Sequence, residues 1–189
     1  RKNSNRPQTQ ALAETPTLFG EIRQPNTDML VIPKVSSENR RYIPICYVSP
    51  ETIINGSALI VDKATYYHFG VLISNVHMAW MRTVAGRMKS DYQYSGKVVY
   101  NNFPWCMPSD EQRKSIEKTA QDILKARALY PDNSLADLYN SVLMPPELRK
   151  AHQENDRAVM RAYGFSIKDT TEASCVAALM KMYQEKVSA

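Results

Sequence analysis

In the first third of the chain, apolar residues fall in short blocks instead of at helical spacing. Met29-Leu30-Val31-Ile32 is halted by Pro33, which by length and branching predicts a short buried strand. The runs at 41–48 and 57–61 are rich in Ile, Val and Tyr and predict two more strands, paired through a loop that contains Asn55-Gly56. Pro44 would put its strand at an edge or on a bulge. Ahead of them, residues 1–23 are polar with a short helical stretch, broken by Pro25, Asn26 and Thr27.

From residue 63 to about 85 the period changes. Phe69, Leu72, Ile73, Val76, Trp80 and Val84 recur at three- and four-residue steps, which predicts one long helix with Gly86 as its stop. Residues 87–100 return to an alternating, aromatic-rich pattern that ends in Val98-Val99-Tyr100, and Pro104 and Pro108 close the region. A boundary is therefore expected near Trp105, dividing the chain into 1–104 and 105–189.

The second part reads as helices throughout. Ser109 with Gln112 forms a capping box, ahead of a stripe of Ile116, Ala120, Ile123 and Leu124 that Pro131 ends. Ser134 with Asp137 opens a short helix carrying Leu135, Leu138, Tyr139 and Val142. Pro145-Pro146 opens a third, with Leu148, Ala151, Asn155, Ala158, Val159 and Ala162 in register and Gly164 as terminator. A fourth starts near Thr171 with Val176, Ala177, Met180 and Tyr183 on its face. The expected class is α+β: a small mixed or antiparallel sheet with one long helix, then a mostly helical C-terminal bundle.

With 189 residues, 43% of them hydrophobic and 23% charged, the chain can bury a core without staples. Cys46, Cys106 and Cys175 lie far apart and lack the close pairing of a zinc site, so they read as reduced thiols of a cytoplasmic protein. No apolar stretch is long enough for a membrane span. The first residue is not Met and no apolar leader follows it, so the sequence reads as a piece of a longer chain. Charge divides unevenly: residues 1–104 hold 12 Lys and Arg against 7 Asp and Glu, and residues 105–189 hold 12 of each. The whole excess of +5 falls in the first part, favouring a polyanion-facing surface there. Glycine pairs of the dinucleotide or S-adenosylmethionine type, a P-loop and a nucleophile elbow are all missing from the sequence. No catalytic, cofactor or metal residue is expected in this piece.

The most informative segment is GRMKSDYQYS at 86–95. Read as one extended strand, it sends Arg87, Lys89, Asp91, Gln93 and Ser95 to one face, and Met88, Ser90, Tyr92 and Tyr94 to the other. The first face bears the groups that read base edges in the major groove: Lys donates to guanine, Asp accepts from cytosine, Gln pairs with adenine. Lys89 and Asp91 are expected to read the two bases of one G·C pair. Tyr92 and Tyr94 are expected to pack beneath. Asn55 and Ser57, near a loop tip, are further candidates for reaching a groove. Arg82, Arg87, Lys97, Arg40, Arg41, Lys34 and Ser95 are candidate contacts to the DNA backbone. A solvated strand face, a protein-protein docking module whose basic surface is incidental, and a hydrolase without a recognisable motif are the competing readings.

Several separate stretches resemble one family. They are Ile32-Pro33-Lys34-Val35-Ser36-Ser37 leading to Arg41-Tyr42-Ile43-Pro44; Phe69-Gly70-Val71-Leu72-Ile73-Ser74 with His77-Met78-Ala79-Trp80; GRMKSDYQYS; Val99-Tyr100-Asn101-Asn102-Phe103-Pro104; and Met144-Pro145-Pro146-Glu147-Leu148 with Asn155-Asp156 and Tyr163-Gly164-Phe165. In this order, over residues 9–165, they resemble the target-recognition domain and following helical domain of type IIL restriction-modification enzymes. These are single-chain adenine-N6 DNA methyltransferases with a fused nuclease, and the family also includes methyltransferases without one. The resemblance implies that positions 89, 91 and, less directly, 93 contribute base specificity on double-stranded DNA. It also implies that a methyltransferase domain of the same parent chain binds S-adenosylmethionine and carries the catalytic tetrapeptide, in the bacterial cytoplasm at the nucleoid. Cys106 stands where Pro commonly follows the Phe-Pro-Trp triplet.

Overall fold

A computed structural model describes residues 1–18, 20 and 24–188. After a short helix α1 (Pro7–Ala11), the chain builds two small antiparallel sheets. The first contains β1 (Met29–Pro33), β3 (Cys46–Val48) and β4 (Ala58–Asp62) in the order β3-β1-β4. The second contains β2 (Val35–Ser36), β5 (Gly86–Met88) and β6 (Asp91–Gln93) in the order β2-β6-β5. Helices α2 (Tyr66–Leu72) and α3 (Asn75–Val84) lie between β4 and β5 in sequence, and a five-residue π-helical turn (Gly96–Tyr100) follows β6. Then come α4 (Asp110–Ala128), α5 (Leu135–Leu138), α6 (Pro146–Ala162) and α7 (Glu172–Val187).

The class is α+β as expected, but four local expectations are corrected. The runs at 41–48 and 57–61 do not pair with each other, because β1 lies between them, with Val31 opposite both Cys46 and Ile60. A fully apolar strand is better satisfied in the centre, and residues 29–32 are buried. Only residues 46–48 of the first run are strand; Pro44 lies just outside, and β3 is an edge as Pro44 suggested.

The long helix is broken. Ser74 caps α3, its hydroxyl accepting from His77 N–H at 3.4 Å, while the Asp156 carboxylate accepts from Asn75 N–H at 2.7 Å. Apolar periodicity runs through this break because both helices turn the same kind of face to the core. On α7 the buried positions are Cys175 and Leu179, one residue off the stripe that periodicity suggested.

Local caps fix the helical part. Ser109–Gln112 and Ser134–Asp137 form reciprocal capping boxes, Pro146 occupies the first position of α6, and Gly164 takes a φ of 72° just past its end. Gly70 then determines how closely α2 and α4 approach. A Cβ there would lie 2.6 Å from Ile116 Cγ2 and 3.2 Å from Ala120 Cβ. The Gly70 carbonyl accepts from Asn155 Nδ2 at 2.8 Å, and Asn155 Oδ1 accepts from Thr119 at 3.0 Å.

Tyr42 reaches across from the loop after β2 to donate to Asp156 at 2.7 Å, and its ring stacks on His152 at 4.1 Å. Arg127 of α4 donates to the Ile45 carbonyl at 2.9 Å. One hydrophobic core therefore runs without interruption from β1 through α2 and α3 into α4, α6 and α7.

Candidate nucleic-acid interface

The segment 86–95 is a hairpin, not a single strand. Gly86 faces Gln93, Arg87 faces Tyr92 and Met88 faces Asp91, which leaves Lys89 and Ser90 as the two-residue turn. Lys89 reverses the chain with a φ of 57°, a left-handed conformation unusual for a residue with a Cβ. On the other edge of β6, Val35 lies opposite Gln93 and Ser36 opposite Tyr92. Residues opposite one another share a face of the sheet. Gly86, Met88, Asp91, Gln93 and Val35 therefore form one face, and Arg87, Tyr92 and Ser36 the other.

The first face is open to solvent. Lys89, Gln93 and Met88 are exposed, Asp91 is half-buried, and Val35 adds an exposed apolar group. The second face packs on the protein: Tyr92 and Ser36 are buried. Tyr94, just past β6, donates its backbone N–H to the Lys34 carbonyl at 2.8 Å and lies under α3, where its hydroxyl is 2.9 Å from His77 Nε2. Both tyrosines are core, as expected. Burial moves His77 down to about 3, so at neutral pH its imidazole is uncharged and serves as a hydrogen-bonding part of the core.

The structure keeps Asp91 and Gln93 on one open face of the hairpin, with Lys89 in the turn next to Asp91, but removes Arg87 from that face. Arg87 turns back instead: its guanidinium lies 3.8 Å from the Tyr92 ring centroid, donates to the Ser90 carbonyl at 2.7 Å and faces the Glu38 carboxylate at 3.7 Å. Ser95 also departs from the expected face. Its hydroxyl caps the π-helical turn, accepting from Val98 N–H at 3.3 Å.

Arg82 makes a two-pronged ion pair with Glu172 at 2.7 and 3.0 Å and donates to the Arg41 carbonyl at 3.3 Å, which ties α3 to the start of α7. Lys34 donates to the Gly56 carbonyl at 2.6 Å and so holds the loop at 49–57 beside the hairpin. In that loop Asn55 Oδ1 accepts from the Ser57 backbone N–H at 2.9 Å and from its hydroxyl. Among the described residues, the side chains of Lys89 and Lys97 make no hydrogen bond or ion pair, and both are exposed; the Lys97 carbonyl accepts from Asn102 Nδ2 at 3.2 Å.

Between the hairpin and the π-helical turn runs an open groove of about 430 Å³, lined among others by Lys34, Gly86, Gln93, Ser95 and Val98. Sequence reasoning missed Val35 and Met88 as members of the exposed face. Reading Lys89-Ser90 as a turn would have found Met88, since a two-residue loop places 88 opposite 91. No cluster of metal-binding side chains occurs among the described residues.

Comparison with known proteins gives these features a family. Residues 1–107 match the family described as MmeI, target recognition domain, and residues 107–189 match MmeI, C-terminal domain. The chain is 38% identical over 185 residues to DNA methyltransferase A of Bacillus subtilis (strain 168), covering 98% of this chain and 21% of that protein. A solved structure of the type IIL restriction-modification enzyme MmeI in complex with DNA superposes with a TM-score of 0.90 at 46% identity, over 100% of this chain and 25% of that one. The chain thus spans about a fifth to a quarter of these relatives. With both stretches matched in order and a shared fold over its whole length, the chain belongs to the MmeI family, as its target-recognition domain followed by its C-terminal domain.

Proposed function

We propose that this chain is the module that reads double-stranded DNA sequence for a site-specific adenine-N6 DNA methyltransferase, in a bifunctional restriction-modification enzyme or a methyltransferase lacking the nuclease. The observation that carries this reading is the β5–β6 hairpin. A two-stranded ribbon is one of the two elements that fit the major groove, and this one carries Lys89 in its turn and Asp91 and Gln93 along its open face, backed by the buried Tyr92. Lys89 donates to guanine, Asp91 accepts from cytosine and Gln93 pairs with adenine, while Ser57 on the neighbouring loop supplies a smaller polar contact.

Lys97, Arg40, Arg41 and Lys34 act as contacts to phosphates. Arg82 and Ser95 are occupied within the protein and serve the scaffold. S-adenosylmethionine and the catalytic groups belong to the methyltransferase domain of the parent chain, and residues 1–104 bear the DNA surface while 105–189 hold it in place. The parent works in the bacterial cytoplasm, on nucleoid DNA.

A salt titration tests this. Phosphate contacts make log K fall linearly with log salt. The full-length chain is expected to show that slope with any duplex and to bind its own selected sequence more tightly. Replacing Lys89, Asp91 and Gln93 together by Ala should reduce binding of the selected sequence to the non-specific level, with the slope changed by no more than about one unit. Binding independent of both salt and sequence would reject the reading.

A further inference from the structure

Lys89 cannot hold its position unaided. A left-handed φ in a residue other than Gly is sterically unfavourable and persists only where neighbouring groups over-determine it. The turn dipeptide Lys89-Ser90 has neither Gly nor Asn to relieve this. One side chain supplies the compensation. Arg87 stacks on Tyr92, whose ring is buried and therefore a fixed platform. From there it donates to the carbonyl of Ser90, the peptide oxygen between the turn and Asp91. On its outer side Glu38 closes the arrangement at 3.7 Å.

We infer that Arg87 is a positioning residue for base recognition: a strap from the packed face that fixes the Ser90 peptide, and with it the separation and direction of Lys89 and Asp91. The inference rests on the DNA-reading function proposed above. It requires the planar fork of arginine. A guanidinium can lie flat on a ring and donate from its edge in the same pose, whereas a lysine ammonium carries the same charge without that geometry.

The conservative variant is therefore the informative one. Base discrimination depends on donor and acceptor placement, so a hairpin tip that loses its strap should lose discrimination at the base pair beneath Lys89 and Asp91 and nowhere else. Selection of duplexes from a randomised library by the full-length chain gives the preferred sequence. The ratio of Kd values for that sequence and for each single-base-pair change then gives discrimination position by position.

For Arg87→Lys, discrimination is expected to fall about tenfold at one base pair. The other positions, the salt slope and the thermal midpoint should stay close to those of the unsubstituted protein. Arg87→Met, which covers the ring but donates nothing, should show the same selective loss, and it provides a second reading where the lysine variant folds poorly. Glu38→Gln should do less than either.

Unchanged discrimination in both variants would overturn the inference. A uniform fall in affinity with a flatter salt slope in Arg87→Met would make Arg87 a phosphate contact instead. A lowered thermal midpoint with discrimination intact would leave it a purely structural residue. If the unsubstituted chain selects no sequence at all, the DNA-reading function itself fails, a result distinct from failure of the strap alone.

Discussion

The hairpin tip and the helical base of this molecule are built on opposite principles. At the tip, three-residue strands and a two-residue turn expose nearly every polar group on the open face. At the base, Asn155 and Asp156 are buried and matched, Asn155 to Gly70 and Thr119 and Asp156 to Asn75 and Tyr42, and the half-buried Arg127 is held by Ile45 and Tyr139. A buried, satisfied network penalises any single change, because the partner left behind stays buried without a hydrogen bond. An exposed tip on a rigid platform can change its side chains at little cost to folding.

The largest effect that would separate the two regions is expected at Trp80. It is fully buried, donates to the Val99 carbonyl at 2.9 Å and packs on Phe103 and Tyr183. Trp80→Ala should lower stability by about 3–5 kcal/mol, measured by urea unfolding.

The next effect is in pH. His77 titrates near 6.5 when unfolded and near 3 when folded, so over that range the unfolded state holds more protons. Its contribution to stability is complete above pH 6.5 and declines as the pH falls; His152, also buried and shifted down, acts in the same direction. Asp156 opposes them. Burial raises its carboxyl from 3.8 to about 6, so the folded state binds the extra proton and gains stability as pH falls through 6. Asp156→Asn, which removes the opposing group, should make stability fall more steeply between pH 6 and 4 than in the unsubstituted protein. Parallel curves from denaturation at a series of pH values would contradict the sign given to Asp156.

Smaller effects follow. Arg82→Ala, which breaks a partly exposed ion pair with Glu172, should lower stability by up to about 1 kcal/mol and leave the salt slope of DNA binding unchanged. Lys97→Ala should do the reverse: flatten the slope by about one unit with no change in thermal midpoint. At the small end, Lys89→Ala and Gln93→Ala should each change stability by less than about 0.5 kcal/mol.

What could be read from the sequence follows the same division by range of interaction. Caps at Ser109 and Ser134, the proline start of α6 and the Gly164 stop depend on residues within one turn of each other, and each is where the sequence puts it. The break at Ser74 was hidden because apolar periodicity continues across it, and the carboxylate that accepts from Asn75 N–H belongs to Asp156, 81 residues further along the chain. The order of the first sheet was hidden for a related reason, since β1 reaches two partners that approach from later in the chain.

At the site, alternating polar residues correctly marked Lys89, Asp91 and Gln93 as exposed or half-exposed neighbours. The hairpin was missed because Lys89-Ser90 lacks the Asn-Gly or Gly signal that usually marks a two-residue turn. Once that turn is in place, Arg87 falls on the wrong face for a base, and nothing near it in sequence reveals Glu38 as its partner.

The most direct test of the account is a charge reversal at the tip. In the full-length parent, Lys89→Glu combined with Asp91→Arg exchanges donor and acceptor while the platform of Tyr92 and Arg87 remains. The methylated positions in DNA from cells expressing this variant are then sequenced. The account predicts a modified site in which one G·C pair has become C·G, with the remaining positions unchanged. Methylation at the original site, with that base pair retained, would contradict it.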